Sequence, residues 1–349
     1  MKKEKKIQNC RLNQVGGQAV IEGVMMKHKD RSSLAIRMPD GSIKIKNDTV
    51  KSLRQKNKFF NIPIIRGVVN FVESMILSMK TLNDSTEALG LDEMEETKFE
   101  KWLTRHFGKK LMDVLLVFAS ILGVLLAILL FFFLPSFLTK LLDGLVGGKL
   151  GGWRTVVEGA IKITIFVLYL FLASRLGDIK RTFEYHGAEH KSIFAYEAGE
   201  ELTPENVRKY KRYHPRCGTS FMFVMLLFSV ILGAVLPWSN AILRTGLKIL
   251  LLPVSVGLGF EFIMFAGKHS DNIIVRILAT PGLWMQRITT CEPDDSQLEI
   301  AICALKSAMI HEFPDFVPPS KETESSDTPM TETTAEDSVS LSDESKTEE

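Results

Sequence analysis

The sequence predicts a mainly α-helical, polytopic membrane protein with about four transmembrane helices, a small cytoplasmic β-hairpin element and amphipathic interfacial helices. The first observation behind this prediction is a set of four apolar segments, each near the length that crosses a hydrocarbon core of about 30 Å. The second is an alternation of apolar and polar residues near the N-terminus, which is typical of β-strands. The third is helical apolar spacing in segments too polar to cross a membrane.

The four apolar segments differ in how well they fit a membrane span. The first carries a single charge, Asp113, and is long enough to cross the bilayer. The second is less apolar because Glu158 and Lys162 lie in its first two turns, where they could pair with each other or extend towards the interface. The predicted spans are Leu111–Leu134, Val156–Ala173, Ser220–Leu236 and Ile249–Phe265.

The distribution of Lys and Arg predicts the orientation of the chain. These residues are frequent before the first span and between the second and third spans, and scarce in the other two connections. Cytoplasmic loops carry such an excess, so both termini and the loop between spans two and three are expected to face the cytoplasm of the cell. The basic start, Met1 to Lys6, is not followed by the apolar run of a signal peptide, so the first span is expected to direct insertion.

Two stretches near the N-terminus predict β-structure. Leu34–Met38 and Ser42–Lys46 alternate in polarity around Pro39-Asp40-Gly41, which predicts a hairpin. Before them, Gly16–Met26 places three glycines around a short apolar run. That stretch is either a strand with tight turns or a surface on which the backbone closely approaches a functional loop.

Several helices are expected outside the spans. Ile64–Leu82 and Ile273–Ile288 have helical apolar spacing interrupted by charges, which predicts interfacial helices. A short helix is expected to begin at Pro204, capped by Thr203, and to run to about Tyr213. A further helix should begin after Asp294-Asp295-Ser296 and run to about Met309.

These features divide the chain into seven regions. The last of them is an acidic tail, whose composition predicts disorder. The rest of the chain is correspondingly basic, which predicts contact with a lipid bilayer and gives no indication of nucleic acid. The regions are a β-rich element (1–60), amphipathic helices (61–110), transmembrane helices one and two (111–173), a loop with a candidate metal site (174–219), transmembrane helices three and four (220–265), interfacial helices (266–312) and the tail (313–349).

The most informative stretch is residues 186–190, which have the H-x-x-E-H order of an inverted zinc-hydrolase motif. It lies in a helical pattern that Gly199 is expected to close. Because one helical turn separates His186 from His190, both could bind one divalent metal, with zinc preferred. Glu189 could then act as the general base that takes a proton from water.

A catalytic zinc typically has three protein ligands, so a third donor is needed. His214 ranks first because it is near in sequence, at the cytoplasmic mouth of the third span. His269 ranks second because the end of the fourth span should reach the same membrane face. Cys217 and Glu261 follow.

Plainer interpretations of these residues stay open. The histidines could be interfacial side chains or could fill a polar core. His214, which Pro215 follows, could mark only a helix stop, and Cys217 could be a small buried residue at the start of a span.

The chain resembles the YqhQ family of uncharacterised bacterial membrane proteins from about Leu12 to Met309. The resemblance implies a membrane protein that has been labelled a predicted metal-dependent enzyme, a label that rests on the same histidines and glutamate. Cys291 stands where other members are expected to carry another residue, which argues against a catalytic thiol there. The matching blocks are Gly16–Met26, Glu184–Lys191, His214–Phe221, Thr280–Arg287 and Glu292–Gln297.

Three functions follow as hypotheses. The preferred one is a metal-dependent hydrolase at the cytoplasmic membrane face, acting on a lipid-linked or membrane-protein substrate. The second is a non-enzymatic membrane adaptor or assembly factor. The third is a small transporter, based on Glu158, Lys162 and Glu261 in or near the spans.

Overall fold

The computed structural model describes residues 11–12, 14–91, 109–268 and 272–317. His269, the basic residues Lys101 and Arg105, and the acidic tail from residue 318 onwards lie outside these ranges. The described chain is mainly helical and includes a small four-stranded antiparallel sheet. The strands are β1 (Val15–Val20), β2 (Gly23–His28), β3 (Arg31–Arg37) and β4 (Ile43–Thr49).

Twelve α-helices are described, and the third continues through a π-helical turn (Leu129–Phe133) into the fourth. The helices are α1 (Leu53–Lys56), α2 (Ile65–Ala88), α3 (Lys109–Ile128), α4 (Leu134–Leu145), α5 (Arg154–Ala173), α6 (Gly177–Ala198), α7 (Pro204–Val207), α8 (Gly218–Gly233), α9 (Ala241–Leu250), α10 (Leu252–Lys268), α11 (Ile273–Thr289) and α12 (Asp295–Ala308).

The sheet is a meander in which each strand pairs with the next along the chain. The predicted hairpin is confirmed as β3 and β4, with Arg37 opposite Ile43 and a turn in which the Ser42 N–H donates to Asp40 Oδ1 at 2.9 Å. The glycine-containing stretch forms the β1–β2 hairpin, with Gly17 opposite Met26. It is therefore a strand pair with a tight turn, as one of its two interpretations predicted.

Helix α12 is the centre of the apolar core outside the candidate spans. It begins at the predicted position with a capping box, in which the Gln297 N–H donates to Asp294 Oδ1 and the Asp294 N–H to Gln297 Oε1. Its side chains are buried on two faces because β2 and β3 cover one and α6 covers the other. The sheet, α6, α7 and α12 together form what we call the sheet–helix body.

Helix α6 carries the H-x-x-E-H stretch and ends at Gly199, whose φ of 79° requires the left-handed conformation that glycine adopts readily. The next helix begins at Pro204 as predicted, but it ends at Val207 and not near Tyr213. Beyond Val207 the chain turns its carbonyls towards α6: those of Arg208 and Arg212 accept hydrogen bonds from Lys191 Nζ (3.0 Å) and His190 Nδ1 (2.5 Å). These contacts with α6 favour the irregular path over a continuing helix.

Two helical stretches are long and apolar enough to cross a membrane, Val117–Leu145 and Gly151–Ala173, with mean hydropathies of 3.0 and 2.0. A third appears if α9 and α10, which meet at 47°, form one broken span. Pro253 explains the break because it has no N–H to continue the helical hydrogen bonding. The predicted third span, 220–236, forms α8, whose 16 residues fall short of that length.

Both segments predicted as interfacial are helices, α2 and α11. Met75, Ile76 and Met79 on α2 are exposed, as is Trp284 on α11. Helix α2 packs closely on α10, since a Cβ added to Gly67 would lie 2.7 Å from the Cβ of Phe260.

The two charged residues of α5, Glu158 and Lys162, have partners on other helices and do not bond to each other. Glu158 bonds to Arg244 at 2.8 Å and to Lys248, both on α9, and not to Lys162. Lys162 Nζ donates to Ser229 Oγ at 2.6 Å. The suggested pairing of Glu158 with Lys162 on one helix is therefore wrong, because α9 brings two other cations to the carboxylate.

We expect Gly187→Ala to destabilise the fold. A Cβ at Gly187 would lie 2.1 Å from the Cys291 carbonyl oxygen, which belongs to the backbone and cannot rotate away. Overpacking of this kind costs about 1–3 kcal/mol. Thermal unfolding of the full-length protein in detergent measures the loss, with Gly177→Ala on the same helix as the control because nothing lies within 4 Å of its added Cβ. Equal melting temperatures for the two variants would contradict the close contact.

Candidate metal centre

Helix α6 places the two motif histidines side by side. The ring centroids of His186 and His190 are 4.4 Å apart and the rings are inclined by 60°. The helix makes this arrangement because residues four apart lie one above the other on the same face.

A backbone carbonyl holds each of these rings. His186 Nδ1 lies 2.8 Å from the Thr289 carbonyl oxygen, and His190 Nδ1 lies 2.5 Å from that of Arg212. Since a carbonyl only accepts hydrogen bonds, each Nδ1 carries a proton, and Nε2 is the nitrogen that each ring can offer to a metal. Histidines that bind metals are commonly oriented in this way by a hydrogen bond from the other ring nitrogen.

Cys217 completes a group of three donors. Its Sγ lies 3.2 Å from His186 Nε2 and accepts a hydrogen bond from the Thr219 N–H at the start of α8. One ligand atom from each of His186, His190 and Cys217 lies within 4.8 Å of the others. Ligand atoms around tetrahedral zinc are separated by roughly 3.5 Å, given bonds of about 2.1 to 2.3 Å. Even a pair at the 4.8 Å limit would need to close by only about 1.3 Å.

The other candidate ligands are not part of this group of three donors. His214 lines the same cavity as the donors, and its ring centroid is 5.5 Å from that of His190. Glu261 lies elsewhere, and His269 lies outside the described residues. His214 stacks against Phe194 at 4.6 Å between centroids, and its Nε2 is 3.8 Å from a carboxylate oxygen of Glu197. Burial lowers the pKa of His214 to about 4, so this ring is neutral near pH 7. Glu261 accepts a hydrogen bond from Arg66 Nε at 2.7 Å. His214 was ranked above Cys217, yet the structure brings Cys217 to the two histidines.

Glu189 lies beside the three donors and is buried. Burial raises its pKa to about 7, although the neighbouring His186 opposes that rise. Strand β1 passes directly over this side chain, since a Cβ on Gly17 would lie 2.7 Å from Glu189 Cγ. The Gly16–Met26 stretch is thus also the close-approach surface that its second interpretation predicted.

The donors and Glu189 share one cavity of about 510 Å³. It lies among β1, α2, α6 and the start of α8. Arg216 adds a guanidinium to its wall, and that group forms an ion pair with Glu197. A molecule in this cavity would contact both the metal-binding donors and a carboxyl group.

Comparison with known proteins shows which family the chain belongs to. The model of a family described as "Protein of unknown function (DUF1385)" matches residues 62–311. The chain belongs to the DUF1385 family. It is also 35% identical over 292 residues to "Uncharacterized protein YqhQ" of Bacillus subtilis (strain 168), an alignment that covers 82% of this chain and 89% of that protein. No solved structure is significantly similar to the present chain.

Some features of the site in this DUF1385 protein were not foreseen. The carbonyls of Thr289 and Arg212 hold the histidines, and no residue type announces a backbone acceptor. Gly17 and Cys217, in contrast, were visible in the sequence, as part of the possible close-approach surface and as a candidate third donor.

We expect the three-donor group to bind one equivalent of a divalent metal. Elemental analysis of the purified full-length protein, after dialysis against zinc, should give about one zinc per chain. His186→Ala, His190→Ala and Cys217→Ala should each lower that content, because each removes one of three donors. His214→Ala serves as the control and should retain the metal. Unchanged zinc in all three donor variants would contradict the site.

Proposed function

We propose that this DUF1385 protein is a metal-dependent hydrolase that acts at the cytoplasmic face of the membrane on a lipid-linked or membrane-protein substrate. The observation that carries the proposal is the junction of His186, His190 and Cys217 with Glu189 in one cavity. Structural zinc sites usually have four protein ligands, whereas catalytic sites use three and leave a position open. Three donors beside a carboxyl group fit the catalytic pattern.

The donor chemistry supports zinc as the metal. Imidazole nitrogen and thiolate sulfur are common zinc ligands, and both rings are held through Nδ1, which leaves Nε2 as the ligand atom. When bound, zinc supplies Lewis acidity and makes water a stronger acid. The protein's part is to hold the two rings through Thr289 and Arg212 while Cys217 provides the third donor.

Glu189 is the proposed general base. Its carboxyl group follows the motif's order, lies next to His190 on α6 and faces the cavity. Gly17 leaves room for the carboxyl group and limits its movement, since β1 covers it. In this role Glu189 accepts a proton from water and then delivers it to the leaving group of the substrate.

The surroundings of the cavity support a membrane-associated substrate. Leu77 and Ser78 of α2 line the cavity, while Met75, Ile76 and Met79 of the same helix are exposed. An amphipathic helix with such a face lies readily at a membrane surface. A substrate held in the bilayer would then reach the cavity along α2 without leaving the interface.

The proposed membrane placement uses the four apolar segments together. The stretches 117–145 and 151–173, the bent pair α9–α10 and the short helix α8 would cross or enter the bilayer. The excess of Lys and Arg between α5 and α8 supports a cytoplasmic location for the candidate metal centre and for both termini.

A non-enzymatic adaptor is the second candidate. The exposed apolar residues of α2 favour it, since such a face also suits a protein partner. In that case His186 and His190 would stabilise the packing of α6 through their carbonyl partners. The two functions differ in the role of Glu189: the hydrolase requires its carboxylate as a general base, and the adaptor does not.

We expect Glu189→Gln to abolish hydrolysis while zinc content stays unchanged, because the amide cannot accept the proton. Lipids and small membrane peptides from cells producing the wild-type protein should contain a hydrolysis product that mass spectrometry does not detect with the variant. Glu200→Gln, an exposed residue just after the end of α6, is the control and should behave as wild type. Identical profiles for wild type, Glu189→Gln and cells lacking the protein would favour the adaptor.

We expect the connection between the first two spans to face outwards. In intact cells, a membrane-impermeant maleimide should label Lys149→Cys and should not label Glu200→Cys, while lysed cells should allow both. Both positions are exposed. The four native cysteines lie on the proposed cytoplasmic side, so the wild-type protein measures the background labelling in intact and in lysed cells. Labelling of Glu200→Cys in intact cells would reverse the proposed orientation.

A further inference from the structure

A second cavity lies among the apolar helices, separate from the metal-binding donors. Its volume is about 260 Å³. The wall is apolar apart from two lysines, two serines and the Tyr169 hydroxyl. The lining residues are Phe131, Phe132, Lys162, Phe166, Tyr169, Met222, Met225, Leu226, Ser229, Lys248, Leu252 and Ser255. We call it the lysine cavity.

Positive charge exceeds negative charge around the lysine cavity. Glu158 accepts hydrogen bonds from both Arg244 and Lys248, so one carboxylate already serves two cations. Lys162 makes no ion pair within the described part of the chain; it donates to Ser229 Oγ and lies 4.9 Å from the centre of the Phe132 ring. Burying a lysine that has no ion pair of its own among apolar helices is costly, so Lys162 is a candidate for a functional role.

The backbone around the lysine cavity departs from regular helix at two places. Phe131 and Phe132 belong to the π-helical turn, and such turns are frequent at functional sites. Leu252 and Ser255 lie in the first turn of α10, just after its break from α9. The first N–H groups of a helix favour an anion, which adds to the charge of the two lysines.

We propose that the lysine cavity binds an anionic lipid, with its phosphate or carboxylate held between Lys162 and Lys248. The aromatic wall of Phe131 and Phe166 contacts the hydrocarbon chain. Tyr169 at the rim is 50% exposed, so the chain leaves the cavity sideways into the bilayer. An anion with a hydrocarbon chain matches the charge of the lysines and the apolar wall together, whereas an inorganic anion matches only the charge.

Native mass spectrometry of the full-length protein in a neutral detergent tests the proposal. Titration with phosphatidylglycerol should give a bound complex at lower concentration than titration with phosphatidylcholine, which carries no net charge. Inorganic phosphate should bind far more weakly than phosphatidylglycerol. Equal binding of the two lipids would overturn the proposal, and phosphate binding as tightly as phosphatidylglycerol would identify a plain anion site.

Two variants localise the binding. Lys162→Met keeps an unbranched side chain without the charge and should weaken phosphatidylglycerol binding about tenfold, the loss expected for one charge-assisted hydrogen bond. Lys149→Met makes the same change of charge in an exposed connection and should have no effect. Met225→Trp keeps both lysines but fills the cavity, and it should also weaken binding.

Melting temperatures of the lipid-free variants show that each is folded. Unchanged phosphatidylglycerol binding in both Lys162→Met and Met225→Trp would overturn the lysine cavity as the site. Because neither residue belongs to the metal-binding group, zinc content should be normal in both variants.

Discussion

The structure depends on the burial of a polar helix. Helix α6 has few apolar side chains, yet most of its second half is buried between the sheet, α12 and the segments that follow α7 and α11. A buried polar group without a hydrogen bond costs about 1–3 kcal/mol, so the buried polar side chains of α6 are more stable with a partner, although Ser192 Oγ has none. His186, His190 and Lys191 find theirs in backbone carbonyls of Thr289, Arg212 and Arg208.

This requirement shapes the segments around α6. The chain from 208 to 217 stays irregular because its carbonyls point at α6 and not along a helix axis. Where backbone passes against α6, glycine removes the steric barrier: Gly187 faces the Cys291 carbonyl and Gly17 faces Glu189. The same contacts that satisfy the buried helix also fix the two imidazole rings and the carboxyl group, so preorganisation of the site follows from the packing.

The sequence predicted those features that depend on local pattern. The β3–β4 hairpin, the cap at Asp294 and the end of α6 at Gly199 each follow from residues within a few positions of one another, and the structure has all three. The end of α7 was not predictable because the chain after it makes hydrogen bonds with residues 17 to 22 positions earlier. The same holds for the site: H-x-x-E-H was visible as a pattern, but which of His214 and Cys217 brings a donor atom close to both histidines depends on the path of an irregular loop. His214 stays in the cavity but packs on Phe194 near Glu197, whereas the start of α8 places Cys217.

The short length of α8 has its explanation in the same packing. A helix that faces lipid must bury its polar ends in the headgroups, which requires about 20 residues. Helix α8 lies instead against α5, α10 and α11, and a Cβ on Gly282 would be only 3.0 Å from Ser220 near its start. Protein side chains surround the start of α8. Gln286 there donates hydrogen bonds to Ser220 Oγ and to the His214 carbonyl. At the end of a lipid-facing helix, water would have to satisfy such polar groups. Met222, near the start of α8, lines both the cavity of the candidate metal centre and the lysine cavity. A short helix shielded by its neighbours is therefore what allows two polar sites to lie within one set of apolar helices.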